Sequence, residues 1–188
     1  SAAVRAAVDV PVLVSGRIDD PATAERILAA GAADLIGLVR PLIADPELPA
    51  KVRDGRAGEV RKCLSINECH TVGRSRVPVT CAVNAAAGRE TEMAIVPADV
   101  PKVLAVVGAG PAGMEAARVA ALRGHRVVLH DASPTLGGTV RLLAEDANRR
   151  NLRDHAEFFE SRLPELDVEL RLGREVTADD LVGRGFDA

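Results

Sequence analysis

The chain has 188 residues, 47% of them hydrophobic and 27% charged, with a formal net charge of −3. That is apolar enough for a buried core and excludes global disorder, and the mild, sign-mixed charge excludes the basic footprint of a nucleic-acid binder or a polybasic membrane patch. No run reaches about 18 apolar residues, so no membrane span is predicted. No signal peptide is visible, and all three cysteines fall in one short stretch, which together predict a cytoplasmic protein.

The first predicted element is a strand over Pro11–Ser15, a short β-branched run reached almost at once from Ser1. A helix follows, with Asp20 as its N-cap, Pro21 at its first position and Gly31 as its stop. Ala24, Ile27 and Leu28 give it one apolar face, and "ADLIGLV" is then a second buried strand. Residues 11–39 thus read as one βαβ unit of a parallel sheet. "ADPELPAKVRDG" predicts a short helix closed by Gly55, and residues 56–91 predict little regular structure. Pro97 and Pro101 keep the following stretch from forming a helix.

A second βαβ unit begins at a strand over Val103–Val107. A helix of small residues is predicted from Pro111 or Ala112 to Leu122, stopping before Gly124, and a strand over Arg126–His130. An amphipathic helix over about Asn151–Arg162 and a strand at "VELRL" complete the pattern. The chain stops at Ala188 on the way into a further strand and opens without Met, so it reads as an internal piece of a longer protein.

Gly108, Gly110 and Gly113 form G-x-G-x-x-G between an apolar strand and a helix, the context that makes the motif a dinucleotide site. Gly108 serves the tight turn, Gly110 the approach of a pyrophosphate, Gly113 the packing of helix on strand. Pro111 and Ala112 open the helix whose N–H groups would face the pyrophosphate. Asp131 ends the next strand, where an acid can bond ribose hydroxyls, and Gly137-Gly138 soon after favours FAD over NAD. In the first unit, Gly16 and Arg17 follow one strand, and Val39 and Arg40 the next. Those are strand C-terminal ends, where a (β/α)8 barrel places its site and often a phosphate.

The order "SGRI…P…AE…L..G.ADL…RPLIADP.L", then "C…N.C…C.VN…G.E", then "VVGAGPAG…LGG" resembles the two-flavin, iron–sulfur branch of the old yellow enzyme family of NADH:flavin oxidoreductases, the 2,4-dienoyl-CoA reductase / trimethylamine dehydrogenase type. The resemblance implies an α/β chain. Residues 1–58 would end an FMN-binding TIM barrel, 59–91 form an iron–sulfur-type cysteine segment, 92–101 a linker, and 102–188 the first part of a Rossmann-like FAD/NAD(P)-binding domain. It implies FMN phosphate contacts from Gly16, Arg17, Val39 and Arg40. It also implies FAD, or only ADP, on the glycine turn, and a 4Fe–4S cluster in the cysteine segment. The family usually has glycine where Val39 stands, a position at which valine disfavours positive φ, and more often glutamate where Asp131 stands. Electrons would pass from NAD(P)H to FAD, to the cluster, to FMN and then to a conjugated alkene. Catalytic residues would precede Ser1, so none is assigned here.

Cys63, Asn67, Cys69 and Cys81 match the family's cysteine frame, but Ile66 stands where a second ligand belongs. Three outcomes stay open: a cluster held by Cys63, Cys69 and Cys81 with an open or His70-substituted iron, a zinc site with His70 as fourth ligand, or a dead site with the cysteines as small buried hydrophobes. The functions in view are an NAD(P)H-driven reductase of a small-molecule alkene, a nucleotide-binding module without chemistry, and an amine dehydrogenase passing electrons to a partner protein. A homo-oligomer is compatible with all three.

Overall fold

A computed structural model describes residues 1–73 and 78–188. The chain is mixed α/β with parallel sheets and forms two compact units, Ser1–Glu92 and Met93–Ala188.

In the first unit, α1 (Ala2–Ala7) leads to β1 (Leu13–Ser15), α2 (Pro21–Ala29) and β2 (Leu35–Gly37). The two strands pair in parallel, Leu13 beside Leu35 and Ser15 beside Gly37. Asp20 caps α2 as its sequence position predicts, its carboxylate accepting from Ala22 N at 3.2 Å. Gly31 closes the helix at φ 62. The β1 strand is shorter than the predicted Pro11–Ser15, because Val12 N donates instead to the Asp34 carboxylate at 2.8 Å. That carboxylate also takes Arg5 Nε at 2.8 Å, which ties α1 to the sheet. Then come α3 (Arg40–Ala44), α4 (Leu48–Arg53), a 3-10 turn at Ala57–Glu59 and α5 (Glu68–Gly73).

Buried Asp45, between α3 and α4, organises the rest of this unit. Its carboxylate accepts from Glu47 N at 3.1 Å, Lys51 Nζ at 2.7 Å and Arg61 N at 2.8 Å. Arg61 in turn donates to Val83 O at 2.5 Å, and Asn84 Nδ2 to Ile43 O at 2.8 Å. Both ends of the cysteine segment are therefore held to the α3–α4 corner by side chains rather than by a sheet. The "G.E" of the same stretch is structural as well: the Glu90 carboxylate accepts from Gly88 N at 2.9 Å.

In the second unit β3 (Val103–Val107), β4 (Arg126–Asp131) and β5 (Glu169–Leu172) form an all-parallel sheet in the order β3-β4-β5. Asp187 N reaches Val103 O and Ala105 N reaches Ala188 O, both at 2.8 Å, so the last residues run beside β3. Helices α6 (Pro111–Leu122) and α8 (Arg153–Glu165) bury Met114, Ala117, Leu129, Phe159 and Leu163 in one core. Between them lie α7 (Thr139–Leu143) and a 3-10 turn at Ala147–Leu152, which takes the place of the predicted first turn of α8; α9 (Ala178–Leu181) follows β5. Among the described residues no helix is long and apolar enough to cross a membrane.

Candidate functional site

Three groups of residues singled out in the sequence are brought together as three separate places. The first is a cavity of about 200 Å³ at the C-terminal ends of β1 and β2, lined by Gly16, Arg17, Val39, Arg40, Cys63 and Ser65 among others. Gly16 takes φ 121 and Arg17 φ 50, which turns the chain sharply out of β1. Val39 sits at φ −114, so the positive φ that valine would resist is not required of it. Arg40 is half-buried on the cavity wall, and its Nη1 donates to Asn67 Oδ1 at 2.6 Å.

The second place is a small cavity of about 20 Å³, room for one water, lined by Cys63, Cys69 and Cys81 with Ile66 and Arg40. All three thiols are free and half-buried, and the Cys63 sulfur accepts from Ser65 N at 3.4 Å. Ser65 (φ 54) and Asn67 (φ 64) flank Ile66 in the left-handed region, so the loop is tightly coiled where the family frame places a ligand. Ile66 is 53% exposed and brings no donor. Exposed His70 is carried with Cys69 on α5, a helix the sequence reading did not anticipate. Among the described residues no three His, Cys, Asp or Glu side chains converge as a metal-holding group. The three thiols suit cluster iron in kind, but they fall one short in number and do not converge as a metal-holding group.

The third place is the glycine turn after β3. Gly108 takes φ 104, and its N–H donates to His130 O at 2.8 Å. A methyl on Gly113 would lie 1.8 Å from Gly108 O, so glycine is obligatory there for the close passage of helix over strand. Gly110 caps α6, and a methyl there would meet nothing within 4 Å, leaving open space on that side of the turn. Pro111 and Ala112 form the first helical positions. The Gly137-Gly138 pair closes on this turn: Gly137 N donates to Ala109 O at 2.8 Å, and a methyl on Gly138 would sit 3.2 Å from Gly110 Cα. Asp131 is committed to backbone, with Oδ2 accepting from Ala109 N at 2.5 Å and Oδ1 from Ser133 N at 2.7 Å. It clips the glycine turn to the end of β4.

The sequence reading passed over a further cavity of about 490 Å³ on the opposite face of the β3-β4-β5 sheet, lined by Arg126, Arg171, Arg174, Arg184, His130 and Phe186 among others. His130 is 4% exposed, its Nε2 has no hydrogen-bond partner among the described residues, and burial followed by the nearby Arg171 lowers its pKa below the usual imidazole range. Alternation along β4, with Leu129 toward the helices and His130 away, was the available signal.

Residues 1–59 match the NADH:flavin oxidoreductase / NADH oxidase family, and residues 104–164 match the FAD dependent oxidoreductase family. Cinnamate reductase of Clostridium sporogenes is 38% identical over 181 residues, covering 96% of this chain and 27% of that protein. N,N-dimethylglycine/sarcosine dehydrogenase of Chromohalobacter salexigens is 41% identical over 188 residues, with 96% and 27% covered. The solved structure of a 2-naphthoyl-CoA reductase in complex with 2-naphthoyl-CoA superposes with a TM-score of 0.89 at 35% identity, covering 95% of this chain and 27% of that one. Two segments of the chain therefore match flavin-dependent oxidoreductase families, as its motifs imply. The first of these, residues 1–59, matches the NADH:flavin oxidoreductase / NADH oxidase family. It spans about a quarter of the length of the curated relatives it matches.

Proposed function

We propose that this chain supplies the flavin-handling parts of an NAD(P)H-dependent oxidoreductase that reduces an activated C=C bond, as in an enone or a dienoyl-CoA-like thioester. One observation carries the reading: a glycine–arginine cavity, a cysteine cavity and a paired-glycine turn follow one another along a single chain, and the outer two lie in segments that match flavin families. On this reading the first unit ends an FMN-binding barrel and the second begins a Rossmann-like FAD domain. Arg17 and Arg40 neutralise the FMN phosphate, with Gly16 and Val39 presenting backbone. Gly110 leaves room for the pyrophosphate of FAD or ADP beside Pro111 and Ala112, and Asp131 fixes the turn's shape through its backbone bonds. The bound flavins supply the electron transfer; the residues of this chain bind and orient them, and none is assigned a proton.

Cys63, Cys69 and Cys81 offer three thiolates where cluster iron ordinarily takes four. We read the site as a three-thiolate one. The test is iron and acid-labile sulfide content, with the visible spectrum, on anaerobically purified full-length protein and its Ile66→Cys variant. The wild type should hold about three or four irons per chain with acid-labile sulfide, and the variant about four. No iron in the wild type beside about four in the variant would overturn the three-thiolate reading, and none in either protein would make the cysteines structural.

A second reading has its own support, the similarity to a dimethylglycine/sarcosine dehydrogenase: an amine dehydrogenase that passes its electrons to a partner protein. Anaerobic bleaching of the flavin bands separates the two. Bleaching by NADH or NADPH, reversed by an enone, supports the reductase. Bleaching by a methylated amine without nicotinamide supports the dehydrogenase.

A further inference from the structure

Arg40 borders two cavities at once, the one at the ends of β1 and β2 and the one bounded by the three cysteines; Cys63 and Ser65 are shared in the same way. Among the described residues its side chain makes one hydrogen bond, to Asn67 Oδ1 at 2.6 Å, and pairs with no carboxylate. Asn67 suits that place because asparagine tolerates the left-handed backbone it adopts there, at φ 64. Its carbonyl oxygen accepts from His70 N and Thr71 N, both at 3.1 Å, and so starts α5, the helix that carries Cys69. One residue thus touches the guanidinium with its side chain and sets the cysteine loop with its backbone.

We infer that Asn67 is a positioning residue for Arg40, holding the guanidinium on the wall of the β1/β2 cavity before a phosphate arrives and coupling phosphate occupancy to the order of the cysteine loop. The inference rests on the reading of that cavity as the seat of the FMN phosphate. A neutral amide takes one of the guanidinium's five donors and leaves its charge and the other four for the anion; a carboxylate there would neutralise it. Fixing a long side chain in advance removes an ordering cost from binding, which corresponds to roughly three- to tenfold in affinity.

The experiment titrates flavin- and metal-stripped full-length protein with FMN and with riboflavin, which lacks the phosphate, and follows thiol modification by a disulfide reagent with and without FMN. Asn67→Gly keeps the left-handed backbone and removes the amide; Asn67→Asp keeps an acceptor and adds a charge. Asn67→Gly should weaken FMN roughly three- to tenfold, leave riboflavin binding unchanged and abolish the slowing of thiol modification by FMN. Asn67→Asp should weaken FMN as well, again without touching riboflavin. An Asn67→Gly protein that keeps the wild-type preference for FMN, or whose thiols FMN still protects, overturns the inference alone. A wild type that binds both flavins equally overturns the phosphate reading and the inference with it.

Discussion

A methyl placed on Gly113 would lie 1.8 Å from a carbonyl oxygen, whereas one placed on Gly110 would meet nothing. The two glycines of one motif therefore answer to different demands, folding at Gly113 and, on the proposed function, ligand access at Gly110. Gly113→Ala should cost roughly 2–3 kcal/mol of stability, since the carbonyl belongs to backbone that cannot swing aside. Gly110→Ala should melt like the wild type, because Gly110 is at φ −75 and an added methyl meets nothing within 4 Å, yet bind FAD or ADP several-fold more weakly. Thermal melts and nucleotide titrations on the pair check both statements; equal melting of the two variants would refute the division of roles. The packing role of Gly113 was readable in the spacing because the motif is local. The backbone bonds of Asp131 were not readable there: the fold brings Ala109 N and Ser133 N within 2.7 Å of its two oxygens.

Among the elements, the boundaries of β3 and α6 were legible to the residue, since an apolar strand, a glycine turn and a proline at the first helical position all act within a few residues. The short helices α1, α3, α5, α7 and α9, of four to six residues each, were missed. Helices that short show no periodicity and do not form alone; contacts such as Arg5 with Asp34, or Arg40 with Asn67, hold them in place. The cysteine segment depends on tertiary contacts in the same way, through Asp45. Asp45→Ala removes a carboxylate that joins α3, α4 and residue 61, and leaves Lys51 Nζ and Arg61 N without that acceptor. A loss of roughly 3–5 kcal/mol is expected, read as a lower urea midpoint for the first unit; a change under about 1 kcal/mol would show that the segment is held by other means.

At the scale of the whole molecule the two units differ in how they are stabilised. Residues 93–188 contain a continuous core around Met114, Leu129, Phe159 and Leu163. In residues 1–55 the sheet has two strands, with Leu13 57% and Leu35 54% exposed. Expressed separately, residues 93–188 should melt cooperatively and residues 1–55 should not; a sharp transition from residues 1–55 would overturn that expectation. The pH response should belong to the second unit. Burial lowers the pKa of His130 in the folded state, so the unfolded chain takes up the proton first. Stability is then fully present above pH 6.5, the unfolded value, and falls as the pH drops below it toward the folded value. His130→Leu should flatten the melting temperature between about pH 8 and pH 5 relative to the wild type.

By itself the sequence determined the order of the strands and long helices, the glycine turn, the arginines after β1 and β2, and the place of Ile66 in the cysteine frame. Each of these is a local pattern of size, charge or backbone freedom, decided by residues within a turn or two of one another. Only the tertiary structure decided that Gly138 closes on Gly110, that Asp131 serves the backbone of the turn, that three cysteines border one small cavity, and that Arg40 and Asn67 meet across 27 residues. Those meetings depend on how parallel strands and a clamped loop bring distant segments side by side. Packing sets that geometry, and spacing along the chain does not encode it.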